Sequence, residues 1–240
     1  MLLRVCDLYK TYSRGRLGRD HQRALNGIDL CLEDGVRLAL VGASASGKST
    51  LAKCVAGWEM PDRGEIALAA NARVQLIPQN AGDSLNPRFT AAQIVEEPFR
   101  IRGIEPGTRA GAWMERVHLP GNRNHDRPAN FSGGERVRLA IARALAATDP
   151  DHSALLIFDE SFSSLDVPLQ EQLLDLLTDL QSSFPLTYLL IAHDLSLASR
   201  FADEIAVMHD GQIVERGPSS RVTTNPQSES GRQLVAAAAI

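Results

Sequence analysis

Hydrophobic and polar positions alternate in two stretches near the start of the chain, residues 2–8 and 24–32. Alternation with a period of two is typical of strands that bury one face. The residues between these stretches are mostly polar. This pattern predicts an antiparallel β element whose two strands are joined by a polar loop.

A different pattern follows, in which short runs are mostly apolar and are followed by polar residues. These runs lie at residues 36–41, 74–78, 154–158 and 186–192. Near-continuous apolar runs of this length predict strands that are buried on both faces, as in a parallel sheet. Ligands of open parallel sheets collect at the carboxyl ends of the strands, so the polar residues there are candidate site residues.

Helices are predicted between these strands. Apolar residues recur at helical spacing over residues 48–58 and 166–184, and Pro168 suits the first turn of the second helix. The pair Asp210-Gly211 between two apolar runs predicts a hairpin turn. The chain is therefore expected to be an α/β protein with a mixed sheet.

Residues 80–150 have helical patterns and little strand signal. Five prolines interrupt them: Pro87, Pro98, Pro106, Pro120 and Pro128. We interpret residues 1–240 as one domain in which residues 1–79 and 151–240 form the α/β core. Residues 80–150 are then an inserted helical subdomain.

Composition narrows the class of protein. No stretch approaches the roughly 18 apolar residues of a membrane-spanning helix, and charges at Arg4, Asp7 and Lys10 interrupt any apolar signal-peptide core. The formal net charge of −4 argues against broad nucleic-acid binding. The three scattered cysteines suggest neither a disulfide framework nor a zinc site, so a reducing cytoplasm is expected.

The strongest motif, GASASGKS, follows the run at residues 36–41 and precedes a predicted helix. It matches the phosphate-binding loop G-x-x-x-x-G-K-[ST] in the strand-loop-helix context that this loop requires. Lys48 supplies a charge for the β and γ phosphates, and the Ser49 hydroxyl is placed for Mg²⁺. The predicted nucleotide-binding positions are Gly42, Ser44, Ala45, Gly47, Lys48, Ser49 and Thr50.

Polar residues at other strand ends complete a candidate catalytic set. Because neighbouring residues of a strand point to opposite sides, Asp159 and Glu160 are expected to have different roles. We assign Asp159 to the Mg²⁺ shell and Glu160 to the attacking water. Gln79 is expected to touch Mg²⁺ or water and to sense the γ-phosphate, and His193 to contact the γ-phosphate.

A second candidate anion site lies in the helical segment, where FSGGE leads into a helical pattern. The backbone N–H groups of Ser132, Gly133 and Gly134 at a helix start suit the binding of a phosphate. A Gly-Gly pair lowers helix stability by about 1 kcal/mol per glycine, so helix capping alone does not explain it.

Together these motifs resemble the ATP-binding cassette (ABC) ATPases, with GASASGKST, Gln79, FSGGE, LLIFDE, SSLD and His193 in the order of that family. The resemblance implies a P-loop NTPase of the ABC ATPase type with a RecA-like mixed sheet core, using ATP and Mg²⁺. It places Tyr12 against adenine and Asp166 in the D-loop. It also implies a head-to-tail dimer, hetero- or homodimeric, in which Ser132, Gly133 and Gly134 bind the γ-phosphate held by the partner.

Some positions depart from the family pattern or have no site role. Ala45 stands where many members have glycine, and Glu135 stands where glutamine is commoner. Trp58 and Trp113 are expected to be packing residues. The basic residues Arg14, Arg16, Arg19, His21 and Arg23 are expected to form a solvated surface run.

The segments SLNPR at residues 84–88 and EPFR at residues 97–100 resemble the subgroup that powers peptide and nickel importers. The short nickel- and metallophore-type subunits are the most similar. This resemblance implies permease subunits, an extracytoplasmic solute-binding protein, a related second ATPase and a peripheral position on the cytoplasmic face of the inner membrane. The alternatives are a non-transport ABC ATPase of DNA repair or translation, and an accessory of phosphonate breakdown.

Overall fold

The computed structural model describes residues 1–14, 20–105, 107, 109–148 and 152–238. Its strands are β1 Leu3–Arg14, β2 Asp20–Leu32, β3 Arg37–Val41, β4 Arg63–Leu68, β5 Arg73–Ile77, β6 Ala154–Asp159, β7 Leu186–Ala192, β8 Glu204–His209 and β9 Gln212–Pro218. They form two sheets. The smaller sheet is antiparallel, in the order β2-β1-β4.

The larger sheet has the order β5-β6-β7-β3-β8-β9. Its strands are parallel from β5 to β8, and β9 returns antiparallel to β8 through the turn at Asp210 and Gly211. The mixed sheet and the N-terminal antiparallel element confirm the predicted fold class. The carboxyl ends of β3, β5, β6 and β7 meet at one edge, where polar residues follow each strand.

The helices are α1 Lys48–Val55, α2 Ala91–Ile101, α3 Arg109–Arg116, α4 Gly133–Ala147, α5 Val167–Ser183, α6 Leu195–Phe201, α7 Ser219–Thr224 and α8 Glu229–Ala238. Side chains cap several of them. Asp166 accepts a hydrogen bond from the backbone N–H of Leu169 at 3.0 Å and begins α5, and Asp194 accepts from that of Ser196 at 2.7 Å and begins α6. Such caps satisfy backbone groups that have no partner inside the helix.

The central strands are buried on both sides, which explains their continuous apolar runs. Along β6, Leu156 and Phe158 pack on the side of α4 and α5, while Leu155 and Ile157 pack on the side of the smaller sheet. The hydroxyl of the fully buried Tyr188 in β7 donates a hydrogen bond to the carbonyl oxygen of Leu177 at 2.8 Å. The sheet is therefore a rigid base for the residues at its carboxyl edge.

Between β5 and β6 the described residues are helical or irregular and include no strand. This segment contains α2, α3 and α4, with a 3₁₀ turn at Ala81–Ser84 before α2 and two more, at Gly121–Arg123 and Pro128–Asn130, between α3 and α4. This segment lies where the helical subdomain is predicted. The predicted boundary at residue 150 falls outside the described residues, so the division stays a prediction.

Three details differ from the sequence-based expectations. The polar loop predicted between the first two strands is mostly strand, because β1 continues to Arg14 and β2 begins at Asp20. The edge strand β4 has no apolar pattern that would predict it. In the basic run, His21 and Arg23 are exposed, whereas Arg16 and Arg19 lie outside the described residues.

Candidate active site

The loop between β3 and α1 wraps tightly against the rest of the core. Gly42 has a φ of 155°, and a Cβ there would collide with the carbonyl oxygen of Met208. Gly47 has a φ of 105°, and a Cβ there would collide with the carbonyl oxygen of Ala24. Only glycine fits both positions, which explains the spacing of the motif.

Lys48 is held inside this loop. Its Nζ donates hydrogen bonds to the carbonyl oxygens of Gly42 at 2.8 Å and Ala43 at 2.9 Å, and to Ser46 Oγ at 3.3 Å. Burial lowers the pKa of Lys48, although the nearby carboxylates of Glu160 and Asp159 oppose that shift. The loop thus fixes a positive charge at the start of α1.

Next to it, Ser49 Oγ donates a 2.7 Å hydrogen bond to Asp159 Oδ1. Asp159 is the last residue of β6 and is only 7% exposed. Burial raises the pKa of Asp159, and the hydrogen bond from Ser49 acts in the opposite direction. A hydroxyl and a carboxylate therefore meet where β3 and β6 reach the edge of the sheet.

Glu160 follows Asp159 but does not continue the strand. Its φ is 53°, a left-handed conformation that few non-glycine residues adopt, and its backbone N–H donates to the carbonyl oxygen of Ile191 at 3.1 Å. The predicted reason for the separate roles of Asp159 and Glu160, alternation along a strand, is therefore wrong. The chain turns after Asp159 instead.

This turn brings Glu160 against the end of β7. Glu160 Oε2 lies 2.5 Å from His193 Nε2, and these side chains are 11% and 44% exposed respectively. Ser163 supports the turn, because its N–H and Oγ donate to the carbonyl oxygen of Glu160 at 3.1 and 2.8 Å. Ser163 thus holds the backbone of Glu160, and His193 contacts its carboxylate.

These residues line one cavity of about 520 Å³. Its lining consists of Tyr12, Gln22, Ala24, Ser44, Ala45, Ser46, Gly47, Lys48, Ser49, Thr50, Gln79, Glu160 and His193. Gly42 and Asp159 contact the lining through Lys48 and Ser49. Sequence reasoning missed Gln22, Ala24 and Ser46. The position of Ser46 inside the loop motif was a usable signal, whereas Gln22 and Ala24 reach the cavity only through strand pairing.

Tyr12 enters this cavity from β1, where it pairs with Gln22 of β2. Lys10 lies on the same strand, with its Nζ 5.5 Å from the centroid of the Tyr12 ring. Gln79 is exposed and follows the end of β5. The cavity therefore combines an aromatic wall, a phosphate loop and a polar edge.

The segment of residues 131–135, here called the signature segment, lies outside this cavity. Ser132 and Gly133 are exposed at the start of α4. Ser132 Oγ accepts from the Glu135 N–H at 3.3 Å, and Glu135 Oε2 accepts from the Ser132 N–H at 2.7 Å, which forms a capping box. The predicted site residues Ser132, Gly133, Gly134 and Asp166 are thus not part of the lining formed around the phosphate loop.

A second cavity of about 530 Å³ lies between the core and the helical segment. We call it the helical groove; its lining includes Trp58, Arg73, Glu97, Ile101, Arg102 and Arg143. Trp58 is 58% and Ile101 80% exposed, so the prediction that Trp58 is a packing residue is wrong. Trp113 is only 8% exposed, which confirms its packing role.

No helix among the described residues is both long and apolar enough to cross a membrane.

The phosphate loop, the strand-end carboxylates and the capped, glycine-rich start of α4 together define a P-loop ATPase of the ATP-binding cassette class. A family model described as "ABC transporter" matches residues 25–163. The chain therefore belongs to the ABC transporter family, and it is an ATP-binding ATPase of that family.

Curated relatives carry names from peptide transport. The chain is 41% identical to the probable D,D-dipeptide transport ATP-binding protein DdpF of Escherichia coli, over 90% of this chain and 70% of that protein. It is 37% identical to the dipeptide transport ATP-binding protein DppF of Escherichia coli, over 98% and 76% respectively. The glutathione import ATP-binding protein GsiA of Escherichia coli K12 is 38% identical, but the matched region spans only 37% of its length.

The solved structures agree with this assignment. The ATP-binding cassette MJ0796, in a dimeric post-hydrolysis state bound to ADP and Pi, superimposes with a TM-score of 0.78 and 25% sequence identity. The match covers 91% of this chain and 99% of that one.

Proposed function

We propose that this chain is the ATP-hydrolysing subunit of a peptide importer and that it works as one half of a head-to-tail pair. The observation that carries the proposal is the division of the candidate residues. Ten of the predicted site residues line the cavity around the phosphate loop, whereas Ser132 and Gly133 are exposed outside that cavity. A triphosphate bound in the cavity would be enclosed only when the signature segment of a partner covers it.

Within the cavity, Tyr12 would stack on adenine, and Lys48 would bind the β and γ phosphates. Glu160 would accept a proton from the attacking water, and its 2.5 Å contact with His193 supports this role because the carboxylate is already oriented. Proton transfer at a positioned carboxylate contributes about 10² to 10⁴-fold to a rate. Gln79 would contact the nucleotide from the exposed edge.

The donor set at the edge of the sheet fits Mg²⁺, which prefers oxygen ligands and binds through one or two carboxylates together with substrate phosphates. Ser49 Oγ and Asp159 Oδ1 lie 2.7 Å apart, and the Gln79 amide lines the same cavity. These three residues would hold the ion, Asp159 through water. The bound ion would supply charge neutralisation for the phosphates.

The helical groove supports a role in transport. Its exposed apolar side chains, Trp58 and Ile101, are available to a permease helix. On its inner side Arg143 donates hydrogen bonds to the carbonyl oxygen of Ser84 at 2.7 Å and to Ser84 Oγ at 3.0 Å. Ser84 ends the 3₁₀ turn that follows Gln79, so movement at the nucleotide site would reach the groove.

The peptide cargo is proposed from the names of the relatives, which refer to dipeptide, oligopeptide and glutathione transport. Nickel or a metal chelate as cargo stays a prediction. Permease subunits and a solute-binding protein complete the proposed importer. The chain would then act at the cytoplasmic face of the membrane, bound through the helical groove.

The test replaces Glu160 with glutamine. Glu160→Gln is expected to lower MgATP turnover at least 100-fold, because the amide cannot accept the proton, while ATP-dependent association persists. Glu65→Gln, at an exposed position of β4, is the control and should leave turnover unchanged. Turnover is measured by phosphate release and association by analytical ultracentrifugation. Normal turnover in Glu160→Gln would refute the assigned role.

A further inference from the structure

The side chain of Arg123 contacts both ends of the signature segment. Its Nη1 donates to Glu135 Oε1 at 2.5 Å and its Nη2 to the carbonyl oxygen of Asn130 at 2.7 Å. Its Nε donates to Asp126 Oδ2 at 2.8 Å, and its guanidinium lies 4.0 Å from the centroid of the Phe131 ring. Arg123 therefore fixes the residues just before the signature serine and the third residue after it.

Glu135 links Arg123 to the signature serine. Its carboxylate accepts the backbone N–H of Ser132, and that hydrogen bond, together with the charge of Arg123, lowers the pKa of Glu135. The side chain is therefore negatively charged at neutral pH. Glutamine at this position would offer the same acceptor oxygen without the charge.

The negative charge conflicts with the proposed task of the segment. The start of α4 is proposed to bind the γ-phosphate of the partner's ATP through backbone N–H groups and the helix dipole. A carboxylate in the first turn would repel that phosphate. A cation on the side of Glu135 away from Ser132 N offsets the repulsion, and Arg123 occupies that place.

We propose that Arg123 is a positioning residue for the signature segment, which neutralises Glu135 and holds the start of α4 ready for the partner's γ-phosphate. The inference rests on the proposed head-to-tail function and names the residue that makes Glu135 compatible with it. Arg123 is absent from the lining of the chain's own nucleotide cavity. Its loss should therefore weaken closure on a partner and leave ATP binding to the same chain unchanged.

The experiment uses the Glu160→Gln chain with MgATP and measures the dissociation constant of the dimer. Arg123→Ala is expected to raise this constant about tenfold or more, since truncating one partner of a hydrogen-bonded charge pair leaves the other unpaired. Glu135→Gln alone should change it less than about threefold, because the capping acceptor is kept. In the double variant Arg123→Ala/Glu135→Gln the constant should fall back towards the Glu135→Gln value, because the unpaired charge is gone, but not reach it, because the contacts of Arg123 with Asn130 and Phe131 are still lost.

Two further variants separate positioning from stability. Arg123→Lys keeps the charge but loses the forked contacts, so an intermediate constant is expected. Arg63→Ala is a matched control, because Arg63 also has an ion pair, to Asp7 at 2.8 Å, and lies 5.4 Å from the centroid of an aromatic ring, that of Tyr9. It should leave the constant unchanged. Binding of a fluorescent ATP analogue to monomeric chain should be equal in all variants.

The outcomes distinguish this inference from the proposed function. If Arg123→Ala associates as tightly as its parent, or if Glu135→Gln fails to rescue it, the positioning role is overturned. If the Glu160→Gln parent stays monomeric with MgATP, the homodimeric form of the proposed function fails. The Arg123 and Glu135 substitutions are then compared in chains that keep Glu160, within the complex purified with its partner subunits; there, loss of kcat with an unchanged KM supports the role and unchanged kcat overturns it.

Discussion

Ala45 is the one alanine with a positive φ among the described residues, and it lies in the phosphate loop at a position where glycine is common in this family. Its φ is 64°, in the left-handed region, which costs an ordinary L-residue about 1–2 kcal/mol. The side chain is exposed, so its methyl group recovers little by packing. The loop is therefore expected to contain uncompensated backbone strain.

The change Ala45→Gly removes this strain but also increases the entropy of the unfolded chain, which costs about 0.4–1 kcal/mol. Ala43→Gly is the matched control. Ala43 is exposed in the same loop and its φ is not positive, so this variant has the entropic cost alone. The difference between the two variants therefore measures the strain, expected at about 1–2 kcal/mol in favour of Ala45→Gly.

The assay is thermal unfolding without nucleotide, because a bound ligand would stabilise the folded state and mask the difference. For a chain of 150–250 residues, 1 kcal/mol shifts the unfolding temperature by about 2–4 °C. Ala45→Gly should therefore unfold about 2–8 °C above Ala43→Gly. If the two variants unfold at the same temperature, Ala45 is not strained and the reasoning is refuted.

Three further predictions concern the site and the groove. Burial raises the pKa of Asp159 above its ordinary 3.8, so ionisation of this carboxyl lowers the stability of the folded state as the pH rises above 3.8. Asp159→Asn should therefore raise the unfolding temperature at pH 7, measured in the presence of chelator. The difference between the variant and the parent should become smaller as the pH falls towards 3.8. Tyr12→Ala should weaken ATP binding about tenfold or more in fluorescence titrations, whereas Tyr9→Ala should not. Ile101→Asp should prevent copurification with a permease at unchanged ATP-dependent association, and Val214→Asp, also at an exposed apolar position, is its control.

The central strands were predictable because their signal is local. β6 and β7 are buried on both faces, so nearly all of their residues are apolar, Asp159 and Thr187 being the exceptions, and the runs are recognisable without information from the rest of the chain. The phosphate loop was predictable for a related reason. Gly42 and Gly47 are required by close approach of the backbone, and this requirement appears directly as glycine at a fixed spacing.

The smaller sheet was only partly predictable. β4 is mostly exposed, so no side of it shows an apolar stripe, and Gly64 within it approaches the backbone of Asp7 too closely for any side chain. The ends of β1 and β2 that face each other are also polar. These strands form because their backbones pair with each other, and that pairing depends on residues far apart in the sequence.

The contacts of the site were less predictable than its members. Glu160 and His193 were both candidates, but their 2.5 Å contact depends on the left-handed turn after β6 and on the adjacency of β6 and β7. Arg123 was not a candidate at all, because nothing in its sequence neighbourhood marks it. Its role emerges only when the 3₁₀ turn at Gly121–Arg123 is placed against the start of α4.

Ala45 and Glu135, the two residues that depart from the family pattern, therefore differ in their physical effect. Ala45 introduces backbone strain that no neighbour can relieve, so a change there is independent of the rest of the chain. Glu135 introduces a charge that a second side chain neutralises, so Arg123 and Glu135 form one unit whose effects are not additive. A related chain with glutamine at position 135 is not expected to need arginine at position 123, whereas one that keeps the glutamate should retain a cation within reach of it.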